Sequence, residues 1–151
     1  MDMTTESISA MDFCLRLARA NAVLIRRFDS VLGTYHGISF ADFQILNHLA
    51  QAPDGKLRRV DLAERVGLSA SGVTRALLPL EKIGLVSRES DPRDARVGLA
   101  LITATGRELV GNAADVVTQV SRELTRSAPP SQLAGMAAIL GTMAGIHAGN
   151  A

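Results

Sequence analysis

Aromatic side chains are scarce in this sequence. With no tryptophan, one tyrosine (Tyr35) and four phenylalanines, any core must be filled by Leu, Val, Ile, Ala and Met. The single cysteine, Cys14, excludes an intramolecular disulfide framework and suits a reducing compartment. No basic-then-apolar leader and no apolar run long enough to cross a bilayer is visible, so the expectation is a cytoplasmic protein without membrane contact. A charge excess is lacking too: 16 basic and 15 acidic side chains leave the chain near neutrality, which points to no partner. Phosphate loops, zinc-type cysteine pairs, His-Glu-x-x-His runs and nucleophile-elbow glycines are all missing. His36, His48 and His147 are scattered, and lone histidines are more often surface or core residues than ligands. Asp91 and Asp94 lie close together, but in a loop where solvation accounts for them. The sequence therefore reads as a non-enzyme with no catalytic residue, no metal ligand and no cofactor.

What is present is concentrated between residues 58 and 103, which read as helix, tight turn, helix and two-stranded hairpin. Val60, Leu62, Ala63 and Val66 form the inward side of the first helix, and Gly67 stands where a left-handed residue closes it. Ser69 is placed to cap the second helix, with Leu68 and Val73 spaced as a hydrophobic staple. Val73, Leu77 and Leu80, with Ala76 or Ile83, then make a buried stripe, while Ser71, Gly72, Thr74 and Arg75 fall at the exposed N-terminal end. That arrangement suits a recognition helix, whose first turns enter the major groove while its apolar side stays on the domain. The alternative is that Ser69 only caps and that Ser71 and Thr74 only face water. Pro79 predicts a kink or loosened turn after Thr74, or else an early end to the helix.

Beyond Gly84, LVSRES and VGLALI read as strands joined by a charged loop over residues 91–96. Arg93 and Arg96 at such a tip either enter a minor groove or are simply solvated. Arg58 and Arg59 open the first helix, where the helix dipole disfavours cations. They call for a partner: a DNA phosphate, or a nearby acid such as Asp61 or Glu64. Residues 56–96 carry nine basic and six acidic side chains, a local positive excess that permits DNA binding without requiring it.

On either side the chain is helical. Ile8, Met11, Leu15, Ala18, Ala22, Ile25, Phe28 and Leu32 repeat at three and four residues and mark a long amphipathic helix that Gly33 is expected to end. Its apolar stripe needs cover, from the chain's own core or from a second subunit. Ser39 opens another helix, with Asp42 at capping-box spacing and Phe43, Ile45, Leu46 and Leu49 inward. A loop over 51–55 follows, and Lys56 and Leu57 can add a short strand to the hairpin. Thr103 is placed to cap a second long helix carrying Leu109, Ala113, Val116 or Val117, Val120 and Leu124. After Pro129 and Pro130 a last helix uses Leu133, Met136, Ala137, Leu140 and Met143, and residues 147–151 form a loose tail. The fold class expected is mainly α (α+β), a winged helix-turn-helix over residues 35–103, flanked by helices over 1–34 and 104–151 that form a dimerisation lobe.

The segments LAERVGLS and SGVTRALLPLEKIGLV, with the wing run DPRDAR followed by LALITATG, resemble the DNA-binding core of the multiple antibiotic resistance regulator (MarR) family. The wing run is the most specific part. Ile102 stands where the family more often has leucine. The resemblance implies a homodimer whose first helix and C-terminal helices interlock with those of the second subunit, and a repressor that binds double-stranded DNA at a palindromic operator. It also implies a small-molecule effector, commonly an aromatic acid in this family. The site residues it implies, together with those read from the helices, are Arg58, Ser69, Ser71, Gly72, Thr74, Arg75, Arg93, Asp94 and Arg96, with Asp94 orienting the wing arginine Arg96. No effector-pocket residue is assigned. Two alternatives stay open. A winged helix can bind protein rather than DNA, and one branch of the family senses peroxides through a first-helix cysteine activated by tyrosines. Here only Tyr35 is available, and burial of Cys14 beside Phe13 and Leu15 would make it inert.

Overall fold

The structure is a computed structural model and describes residues 7–145. Residues 1–6 and the loose tail expected at 147–151 lie outside the described residues. The element order is α1 (Ala10–His36), α2 (Phe40–Gln51), a 3-10 turn (Pro53–Gly55), β1 (Lys56–Arg58), α3 (Arg59–Val66), α4 (Ala70–Lys82), β2 (Val86–Asp91), β3 (Asp94–Ile102), α5 (Ala104–Thr125) and α6 (Pro130–Met143). It is a winged helix-turn-helix, mainly helical with one three-stranded sheet. The chain divides into two compact units, one up to residue 118 and one from residue 119.

The first unit is built around a core of aliphatic side chains: Leu32 from α1, Ile45, Leu46 and Leu49 from α2, Leu62 from α3, and Val73, Leu77 and Leu80 from α4 are all essentially inaccessible. Leu85, Val86, Leu99 and Ala100 close it from the sheet side. The sheet is antiparallel in the order β1-β3-β2, with Ala100 at its centre opposite Leu57 on one side and Arg88 on the other. The capping box at Ser39 and Asp42 is formed, each side chain accepting the other residue's backbone N–H at 3.0 Å. Three of the four phenylalanines form a stack, Phe28 on Phe40 at 4.3 Å between ring centroids and Phe40 on Phe43 at 6.4 Å.

Several expectations are corrected. Gly33 does not end α1; the helix runs on to His36, and Gly37, at φ 68°, supplies the left-handed stop. An interior glycine costs a helix only about 1 kcal/mol, so without a left-handed conformation it is no terminator. Val60 points to solvent at 59% exposure and Val66 is half-buried, because α3 begins at Arg59 and only Leu62 and Ala63 of its short span face inward. Ile83 is the C-cap of α4 and is exposed, which leaves half-buried Ala76 beside the stripe. Helix α4 continues across Pro79 to Lys82. Cys14 is exposed rather than buried, as are Met11, Leu15 and Ile25 of the α1 stripe; Ile8, expected in the same stripe, lies before the helix and is exposed, and only Phe28 and Leu32 reach the core.

In the second unit α5 ends at Thr125 and α6 begins with Pro130 at its first position, where a missing N–H is harmless. Helix α6 buries no residue; Met136, Ile139, Leu140 and Met143 are all exposed. No helix among the described residues is long and apolar enough to cross a membrane.

Candidate nucleic-acid interface

The turn between α3 and α4 is fixed by local chemistry. Gly67 adopts φ 69°, and the Leu68 N–H reaches back to the Ala63 carbonyl at 2.9 Å, which satisfies the end of α3. Ser69 then caps α4: its Oγ accepts the Gly72 N–H at 3.1 Å, an interaction worth about 1 kcal/mol to a helix. The Ser69 and Ser71 hydroxyls lie 3.3 Å apart, so the tip of α4 presents two adjacent hydroxyls. Gly72 is half-buried against the turn, and a Cβ there would stand 3.1 Å from Ser69 Oγ and 3.5 Å from Leu68 Cβ. It packs the tip rather than presenting a group. Ser71 and Arg75 are exposed. Thr74 is already engaged, donating from Oγ1 to the Ala70 carbonyl at 3.1 Å and accepting from Arg59 Nη1 at 3.4 Å.

The wing is tighter than the six-residue loop expected. Only Pro92 and Arg93 form the turn, and Asp91 pairs directly with Asp94. Each aspartate closes its own bend, Asp91 by accepting the Arg93 N–H at 2.8 Å and Asp94 by accepting the Arg96 N–H at 3.0 Å. Ser90 pairs with Gly98 and the next residue, Asp91, with Asp94, so Ala95, Arg96 and Val97 bulge from the ladder. Arg96 projects from that bulge with its side chain 90% exposed, and Asp94 holds its guanidinium by two contacts, Nε at 3.1 Å and Nη2 at 3.2 Å. The side-chain hydrogen bond from Arg96, followed by its backbone N–H, keeps the Asp94 carboxyl below its ordinary value of 3.8.

Between the start of α3, the first half of α4 and the wing lies an open groove of about 620 Å³. Arg58, Arg59, Arg88 and Arg96 line it, together with Thr74 and Ser90. Each of these arginines has a carboxylate neighbour. Arg58 pairs with Asp61 at 3.1 Å, which answers its unfavourable place at a helix start, Arg88 pairs with Glu81 at 2.8 Å, and Arg59 reaches the same Glu81 at 3.8 Å. The hydrogen bond to Glu81, with the carboxylate's charge, raises the Arg88 guanidinium above its ordinary value. Of the residues expected from sequence, the groove gathers Arg58, Thr74 and Arg96. Arg93 instead lines a smaller groove of about 400 Å³ with Lys56, Arg58 and Asp61. Sequence reasoning missed Arg88 and Glu81. Their signal was an arginine on the exposed side of a strand and a glutamate one turn before Gly84, neither of which declares its partner.

Comparison with known proteins fits this geometry. Residues 36–97 match the model of the MarR family. Over this stretch the chain is similar to the MarR family. It is similar to the uncharacterized HTH-type transcriptional regulator YdgJ of Bacillus subtilis (strain 168), 33% identical over 95 residues that make up 63% of this chain and 54% of YdgJ, so the match spans about half of that relative. Among solved structures it is similar to Sco3205, a MarR family transcriptional regulator from Streptomyces coelicolor in complex with DNA, at a TM-score of 0.81 and 25% identity over 99% of this chain and 96% of that one. NadR in complex with 4-hydroxyphenylacetate shares the fold at a TM-score of 0.77 and 24% identity, over 97% of this chain and 100% of that one.

Proposed function

We propose that this protein is a transcriptional regulator that binds double-stranded DNA sequence-specifically as a homodimer, acting in the cytoplasm as a ligand-responsive repressor at a palindromic operator. It is not an enzyme in this reading. The observation that carries it is the groove between the hydroxyl-bearing tip of α4 and the arginine-bearing bulge of the wing. Such a groove suits the phosphate ridge that separates a major groove from the adjacent minor groove. Ser71 and Arg75 then face base edges, where an arginine can pair in bidentate fashion with guanine, with Thr74 beside them on the groove wall. Arg96, oriented by Asp94, enters the narrow minor groove, while Arg58, Ser69, Gly72 and Arg93 complete the contact surface. Similarity to a DNA-bound relative over nearly the whole chain supports the same reading.

Homodimer formation is supported by the exposed apolar residues of α1 and of α6, each of which lacks cover in a single chain. Dimer symmetry implies half-sites about one helical turn, or roughly 10 bp, apart. An effector, of which the aromatic acid held by NadR is an example of the class, would shift the population toward a spacing of recognition helices that no longer matches the duplex.

Two substitutions test the assignment of roles. Arg75→Ala is expected to weaken operator binding by roughly 1 to 3 kcal/mol, concentrated at one base position. Arg96→Ala is expected to weaken it most for sites whose flanking minor groove is narrow. Operator affinity unchanged by both substitutions, measured by fluorescence anisotropy, would contradict the reading.

A further inference from the structure

Glu81 lies near the C-terminal end of α4, far along the helix from the tip that would read bases, yet its carboxylate touches two other elements. It accepts from Arg88 Nε of β2 at 2.8 Å and faces Arg59 Nη2 of α3 at 3.8 Å. Arg59 in turn donates from Nη1 to Thr74 of α4 at 3.4 Å. It also lies against β3 at Gly98, where a Cβ would stand 3.3 Å from Arg59 Cδ. One carboxylate and one guanidinium thus tie α3, α4, β2 and β3 together at the back of the groove. The side chains of Arg59 and Glu81 are 22% and 20% exposed, so their interaction is screened less than that of a solvated surface pair.

We infer that Glu81 is a positioning residue for DNA recognition: by bridging Arg59 and Arg88 it fixes the distance between the reading tip of α4 and the wing, and so sets discrimination between operator and other sequences. The inference rests on the DNA-binding reading above. Two effects of removing this carboxylate have opposite signs, which makes the role separable from simple charge. Deleting an anion beside a row of arginines strengthens attraction to any duplex. Freeing the wing from α4 loosens the register that only the correct sequence rewards.

The experiment compares the full chain with E81Q, R88K and R88Q, on an operator duplex selected from random sequence and on a scrambled duplex, across a salt series. E81Q is expected to bind the scrambled duplex more tightly, while its operator-to-scrambled ratio falls about tenfold, the size of one lost well-formed base contact. R88K, which can still meet Glu81, is expected to keep the ratio, and R88Q to lose it as E81Q does. R88Q lies on an exposed strand face and provides the test even where E81Q folds poorly. A wild-type preference that both E81Q and R88Q retain would overturn this inference alone. So would an equal loss on both duplexes in R88Q with a salt slope reduced by about one, which would make Arg88 a phosphate contact and nothing more. A wild-type chain with no preference for any duplex would overturn the DNA-binding reading and this inference together.

Discussion

His48 is half-buried on α2, where burial and then the charge of nearby Arg65 hold its imidazole below the ordinary value of 6.5. The unfolded chain therefore takes up this proton first as pH falls. The contribution to stability is complete above about pH 6.5 and is lost as the pH drops through the folded value. Asp94, held below 3.8, stays charged through that window, so the wing pair adds nothing to the effect. Between about pH 7.5 and about pH 5.5 the melting temperature of the wild-type chain is expected to fall further than that of His48→Gln. Parallel melting curves for the two proteins would remove His48 from the account. At this scale some contacts were legible and others not. The Asp94 and Arg96 pair is two residues apart and belongs to a recognisable wing run, so its meeting is readable. Glu81, Arg88 and Arg59 meet only because a helix start, a helix end and a strand converge, and no local spacing encodes that.

Element ends were legible at Ser39, Ser69 and Thr103, where a side chain caps within three residues, but the same kind of cap at Ser9, which accepts the Asp12 N–H at the start of α1, went unread. Glycine was less informative, because Gly33 and Gly37 look alike in sequence and only φ tells the terminator from the passenger. The wing strands were placed, but their bulge depends on a register that no alternation pattern declares. The corner from the sheet into α5 shows why the Ile-Thr-x-x-Gly run has its form. Thr103 donates from Oγ1 to the Gly84 carbonyl at 2.6 Å and accepts the Gly106 N–H at 3.0 Å, while Gly106 lies so close to the Leu85 carbonyl that any Cβ would collide with backbone. Gly106→Ala is expected to destabilise by roughly 3 kcal/mol through that overlap. Gly111→Ala, in the same helix with open space around it, should stabilise by roughly 0.5 to 1 kcal/mol. Urea midpoints for the two variants check this, and a loss of similar size in both would contradict it.

For the whole molecule, the winged helix was readable because its helix-turn-helix and hairpin signals are local and consecutive. The uncovered faces of α1 and α6 were less so. Their periodicity predicts burial, and the single chain leaves them in solvent. In the homodimer proposed above a second copy covers them, and two recognition tips at a fixed separation then require a repeated, inverted site. The direct measurement is the sequence enriched when the purified full chain is offered a random duplex library. The expected result is two inverted half-sites about 10 bp apart, centre to centre. Enrichment of a single unpaired half-site, or of nothing above background, would contradict the claim that paired α4 tips and arginine-bearing wings read DNA.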